Sequence, residues 1–170
     1  MSGATGGPAA GARRQLVTFF LGDDHFATDI FSVERVLRFA APRPIPNVPA
    51  WLEGVIDYRG RVVPVIDLRT RFELPVAPSR DSARILVLVV GGDWVGAIVD
   101  GVQDVATIGA DQIESPPPLF KGLARQYLRG LVRPREEGDP VLVVLDVAEL
   151  LTARERIVLE RAVSGAATNA

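Results

Sequence analysis

Leu16 to Val36 reads LVTFFLGDDHFATDIFSVERV, and Ile85 to Val105 reads ILVLVVGGDWVGAIVDGVQDV. The two stretches align without a gap: apolar run on apolar run, Gly22 on Gly91, Asp24 on Asp93, Val33 on Val102, Val36 on Val105. A second echo follows each. Val62 to Asp67 (VVPVID) matches Val141 to Asp146 (VLVVLD), and Gly54-Val55-Ile56 before the one matches Gly130-Leu131-Val132 before the other. The same parts occur twice in the same order, which implies two similar β units. The seam between such units is a natural place for a ligand or partner.

Working outward, Leu16 to Leu21 reads as a strand, Gly22-Asp23-Asp24 as a hairpin turn, and His25 to Ile30 as the returning strand. Phe31 to Leu37 has spacing that suits either a helical turn or a bent strand. Pro42, Pro44, Pro46 and Pro49 mark a stiff extended loop that cannot join a central ladder. Trp51 to Tyr58 and Arg61 to Ile66 flank Arg59-Gly60 as a second hairpin. Asp67 then stands as an N-cap for one helical turn over Leu68 to Phe72. Pro75 to Arg84 is polar and proline-containing, a linker.

The plan repeats with Ile85 to Val90 and Trp94 to Val99 around Gly91-Gly92-Asp93, a break at Ser115 to Pro118, and Tyr127 to Arg133 and Val141 to Leu145 around Arg135 to Asp139. Asp146 precedes Val147 to Leu151 as Asp67 precedes its turn. Thr152 and Glu155 form a capping box for a last helix carrying Ile157, Val158, Leu159 and Val163. The expectation is an all-β fold of two small barrels sharing a core, since about 60 residues are marginal alone. The boundaries expected are a tail over 1–14, a folded domain over 15–163 and a tail over 164–170. Within the domain, one barrel half covers about 16–74, the other about 85–151, and a helix 152–163. Val63, Val65, Leu86, Leu88, Leu142 and Val144 are expected to be buried.

Composition narrows the function. The 170-residue chain is 48% apolar, with net charge −2, so no global positive field gathers nucleic acid or anionic lipid. Without cysteine, disulfides, thiolate catalysis and zinc–thiolate sites are excluded, which fits a reducing cytoplasm. Met1 to Arg14 lacks the apolar segment of a signal peptide, and no apolar run approaches the roughly 18 residues of a membrane span. Arg dominates the basic residues, with Lys121 the single lysine, and Arg suits planar contacts at interfaces.

No catalytic constellation emerges. Asp67 and Asp146 occupy equivalent places, as in a carboxylate dyad, but Leu68-Arg69 and Val147-Ala148 follow them where small, permissive residues would be needed. Capping is the better account. His25 beside Asp23 and Asp24 is a weak metal pattern, and the other half keeps the turn without the histidine, so no metal or cofactor is expected. The hairpin Arg59-Gly60-Arg61, with Arg69 and Arg71 near it, offers a second reading as a nucleic-acid surface, opposed by Asp57, Asp67, Glu73 and the acidic balance.

Glu53 to Phe72, EGVIDYRGRVVPVIDLRTRF, resembles the CheW family of chemotaxis adaptors, whose pattern is matched in place by Gly54, Val55, Arg59, Gly60, Val63, Pro64, Asp67, Leu68 and Arg69. Asp29 to Val36, Val99 to Val105 and Leu145 to Leu151 continue the resemblance, which runs from about 16 to 160. It implies two SH3-like five-stranded β-barrels and a non-enzymatic coupling protein. One surface would bind the regulatory domain of a CheA-type histidine kinase, and the groove between barrels the cytoplasmic tip of a methyl-accepting chemoreceptor, with membrane contact only through receptors. The resemblance places partner binding at Val33, Val36, Asp57, Tyr58, Arg59, Gly60, Val102 and Val105. Asp57-Tyr58 replaces the usual Asn-Leu, and Arg35 stands where many members have a glutamate that could pair with the motif arginine. Arg59 then needs another carboxylate, with Asp57 and Glu34 the candidates.

Overall fold

Glycines set the hairpins. Gly91 and Gly92 have φ of 58° and 87°, and Arg59 and Gly60 have φ of 50° and 75°. Two consecutive left-handed residues are what a tight two-residue turn between twisted strands requires. The computed structural model describes residues 12–116 and 125–168. The first half comprises β1 (Arg13–Leu21), β2 (Asp24–Asp29), β3 (Val33–Arg38), β4 (Leu52–Tyr58), β5 (Arg61–Asp67) and the short helix α1 (Leu68–Arg71). The second comprises β6 (Arg84–Val90), β7 (Asp93–Val99), β8 (Gly101–Gly109), β9 (Ile113–Glu114), β10 (Leu128–Val132), β11 (Leu142–Leu145) and the helix α2 (Ala153–Thr168). The stretch of open type resolves into a 3-10 turn, Ile30–Ser32, followed by the strand β3. Its turn is capped by Asp29, whose Oδ1 accepts from the Phe31 N–H at 2.9 Å.

The order of elements repeats as the sequence implies, but the sheets do not follow the halves. One sheet has the order β8-β1-β2-β11-β10-β9 and the other β3-β6-β7-β5-β4. Each therefore takes its first hairpin from one half and its remaining strands from the other. The ranges 16–74 and 85–151 therefore each contribute strands to both sheets. Hairpins form locally, whereas β2 pairs in parallel with β11, and β5 with β7, and a parallel partner cannot come from a tight turn. The exchange is symmetric. Val36 lies opposite Leu86 and Val105 opposite Val17, and Val33 opposite Leu88 mirrors Val102 opposite Phe19.

The sixth strand has a counterpart too. β9 pairs Glu114 with Leu131, and an isolated bridge pairs Arg43 with Val55 in the other sheet. Both sit against a glycine for the same reason. A Cβ on Gly54 would lie 2.2 Å from the Arg43 carbonyl oxygen, and one on Gly130 would lie 2.6 Å from that of Glu114. Only glycine admits the crossing backbone.

Burial follows the exchange. Val65, Ala83, Ile85 and Ile98 fill one sheet's interior, and Leu16, Ala27, Val132 and Val144 the other's. The largest cluster, including Phe19, Phe26, Ile66, Leu86, Ala97, Leu145 and Leu150, draws on both sheets. Val63, Val65, Leu86, Leu88 and Val144 are buried as expected, while Leu142 is half-buried near a loop. Arg13 and Arg14 belong to β1 and not to a tail, because they pair with Gly109 and Ile108. At the other end α2 continues to Thr168, past the expected stop at 163, since Ser164 to Ala167 contain no breaker beyond one glycine. The remaining tail residues 1–11 and 169–170, Lys121, and the prolines 117 and 118 lie outside the described residues. The capping box forms: the Glu155 N–H donates to Thr152 Oγ1 at 3.1 Å, and the Thr152 N–H to Glu155 Oε1 at 2.8 Å.

Arginines tie these parts together. Arg69 Nε donates to Asp100 Oδ1 at 2.9 Å and its Nη2 to Oδ2 at 2.5 Å, while the Gly22 N–H donates to the same Oδ2 at 2.6 Å. Burial pushes the Asp100 carboxyl up, but the hydrogen bonds from Arg69 and Gly22 and the guanidinium charge outweigh it and hold the group below its ordinary 3.8. Arg71 binds Glu155 through both nitrogens, at 2.6 and 2.5 Å, and donates to the Leu150 carbonyl at 3.0 Å, fastening α2. Arg80 in the linker donates to Glu53 at 2.7 Å and Asp67 at 3.0 Å.

Two outcomes follow from this architecture. Fragments 1–80 and 81–170 should each lack β structure alone and recover it when mixed, as read by far-UV circular dichroism, because each half's β3- or β8-type strand has its partner only in the other. Asp100→Asn should lower stability at neutral pH. A carboxyl whose folded pKa is depressed stabilises fully above its unfolded value and loses that contribution as pH falls through the folded one. Urea melts should therefore show the gap between variant and parent closing as pH falls below about 4.

Candidate partner-binding surface

Arg59 occupies the first position of its turn with φ of 50°, a conformation that costs a residue with a Cβ about 1 kcal/mol. The strain carries the guanidinium out of the sheet, where it is 57% exposed and its Nη1 lies 3.4 Å from Glu34 Oε2. Glu34 answers the choice left open between it and Asp57. The cause is a bulge: Val33 pairs with Leu88 and Arg35 with Val87, so Glu34 has no partner residue across the strand. Bulges re-aim side chains in this way. β3 and β4 are the two edges of their sheet, so this ion pair spans the gap between edges and shows the sheet curling toward closure. Leu37 packing with Ile56 and Tyr58 reports the same curl from inside.

The expected site residues divide by exposure. Asp57, Arg59 and Gly60 are exposed at the hairpin. Tyr58 is not part of the surface: its ring is buried, edge-on to Trp94 at 5.2 Å, and its hydroxyl has no hydrogen-bond partner among the described residues. Strand alternation turns it inward, so it supports Arg59 from beneath, with the guanidinium 5.4 Å from the ring centroid. Val33 and Val102 are half-buried and pack on the shared core, whereas Val36 and Val105 are 41% and 48% exposed. The four valines occupy equivalent registers on β3 and β8, which are edge strands of the two sheets. Glu34 lies between Val33 and Val36 on β3, so its ion pair brings the Arg59 hairpin to the same strand.

Sequence reasoning missed Phe31, which is 90% exposed on the turn leading into β3. Nothing in the sequence pattern singles it out, and the turn capped by Asp29 is what projects it.

The same geometry weighs the other readings. Arg69 and Arg71 are 13% and 9% exposed and are ion-paired inside, and Arg61 lies on the Trp94 ring at 4.4 Å. The arginines therefore make no continuous basic face with Arg59. Asp67 is 8% exposed; its Oδ1 caps the Arg69 N–H at 2.9 Å and its Oδ2 accepts from Arg80. Asp146 makes no such side-chain cap, which corrects the expectation for that half. His25 is half-exposed, with Nδ1 3.1 Å from Gln103 Oε1. Among the described residues no helix is long and apolar enough to cross a membrane.

Comparison with known proteins agrees with this geometry. The model of the CheW-like domain matches residues 15–155. Chemotaxis protein CheW of Treponema pallidum is 33% identical over 145 residues, covering 83% of this chain and 84% of its own. Protein FrzA of Myxococcus xanthus is 32% identical over 153 residues, covering 88% and 94%. The crystal structure of the scaffolding protein TtCheW from Thermoanaerobacter tengcongensis superposes with a TM-score of 0.76 at 28% identity, covering 85% of this chain and 96% of that one. With the duplicated strand order, the Arg59-Gly60 hairpin and the paired valines all lying inside the matched span, this chain belongs to the CheW-like domain family.

Proposed function

We propose that the protein is a non-enzymatic adaptor on the cytoplasmic side of a chemotaxis-type signalling array, joining chemoreceptors to a CheA-type histidine kinase. The observation that carries the reading is the pair of equivalent, exposed valines, Val36 and Val105, on edge strands whose residues Val33 and Val102 are anchored in the core. An amphipathic receptor helix laid along that seam would cover apolar surface that is otherwise wet. The strained, exposed Arg59 with Asp57 and Gly60 forms the second surface, and the kinase regulatory domain is its partner in this reading. Family membership and the TtCheW match support an adaptor role, and the engagement of Asp67 in capping and ion pairing weighs against a hydrolytic one.

Binding experiments separate the two surfaces. Val36→Asp should abolish capture of a receptor tip fragment while leaving the kinase regulatory domain bound. Arg59→Ala should do the reverse, weakening kinase binding by about tenfold, equivalent to ~1.4 kcal/mol, with an unchanged melting temperature. Unaltered binding of both partners by both variants would refute the assignment. Separately, Asp67→Asn should lower stability by about 1 kcal/mol through the weakened cap without exposing or removing any hydrolytic activity.

A further inference from the structure

The two valine surfaces match in shape but not in charge. Arg38 and Arg84 stand directly opposite each other across the β3–β6 pair, two residues along from Val36 opposite Leu86. Residues two apart on a strand share a face, so both arginines lie on the face that carries Val36. At the equivalent place beside Val105, Gln15 stands opposite Thr107, and the pair is neutral. Like charges directly opposite destabilise a sheet, and among the described residues no carboxylate is paired with either arginine. Among the described residues Arg84 Nη1 donates to the carbonyls of Ser82 at 3.1 Å and Ala83 at 2.9 Å. Among the described residues neither Arg38 nor Arg84 has an ion-pair partner, unlike Arg14 and Arg59, exposed or part-exposed arginines that meet a carboxylate near the two edge strands.

We propose that Arg38 and Arg84 together receive a carboxylate from the receptor helix that lies along the seam, an inference that rests on the seam reading above. A carboxylate between two guanidinium groups gains charge-assisted hydrogen bonds and removes their mutual repulsion. Because the other surface offers Gln15 and Thr107, the two ends of the seam are not interchangeable. The helix lies with an acidic position beside Val36 and a neutral one beside Val105. The valines supply the apolar contact, which is nearly symmetric; the arginines set its direction.

The test uses the full chain and, as probe, a soluble tip fragment of a chemoreceptor from the same organism, titrated calorimetrically at low and high salt. In R38E a carboxylate faces Arg84 in register, so the variant should melt at or above the parent temperature. Its affinity for the fragment should nevertheless fall about tenfold or more at low salt, and less at high salt. Fragments with each carboxylate beside the apolar stripe replaced by lysine should include one that recovers R38E binding. Parental affinity and salt dependence in R38E, with Val36→Asp still abolishing binding, would overturn the charge assignment and leave the seam intact. Parental affinity in both variants would overturn both. A lowered melting temperature in R38E together with lost binding, or no lysine fragment that recovers it, would make the pair structural and overturn the inference.

Discussion

Backbone pairing between the halves is the constraint on which everything else rests. β1 finds its outer neighbour in β8, β6 in β3, and the parallel ladders β2–β11 and β5–β7 close the exchange. A strand's N–H and C=O groups must be satisfied wherever they are buried, and here part of that satisfaction comes from residues far away in the chain. The apolar cluster from Phe19 to Leu159 is then shared by construction. This is why two units of a size that is marginal alone share one core.

Buried and half-buried arginines complete the lock. Arg69 joins α1 to Asp100 at the crossing from β7 to β8, Arg71 joins α1 to the capping glutamate of α2, and Arg80 pins the linker to Asp67. A planar fork with five donors can hold a carboxylate bidentately and still reach a carbonyl, as Arg69 does with Pro75 at 2.7 Å, which a lysine could not match. Such pairs register one part against another, and their net stabilisation is modest because each charge is partly desolvated. Arg38, Arg59 and Arg84 are among the arginines left outside this network.

Duplication left several devices in two copies, some kept and some diverged. Gly54 and Gly130 are retained because a crossing backbone demands it at both places. The turn at Arg59-Gly60 is tight, whereas its counterpart between β10 and β11 is longer and exposed. The bulge at Glu34 has its equivalent on β8, where Thr18 Oγ1 donates to the Asp104 carbonyl at 3.1 Å and accepts its N–H at 3.2 Å. One copy of the bulge supplies a carboxylate to Arg59; the other is held by a buried hydroxyl.

What the sequence determined by itself was local. Alternation and paired glycines specify each hairpin, Thr152 and Glu155 specify the start of α2, Asp67 specifies its cap, and the gapless echo specifies that Val33 and Val36 occupy the registers of Val102 and Val105. These depend on residues within a few positions of one another, or on comparison of one half with the other. Tertiary structure alone decided which half supplies each strand's neighbour, because a parallel partner is chosen by fit over the whole core and leaves no local trace. It also decided that Tyr58 turns inward while Arg59 turns out, that Glu34 and not Asp57 meets that arginine, and that Arg38 faces Arg84. Each of those outcomes depends on strand register, bulge position and sheet curl, which exist only once distant strands have paired.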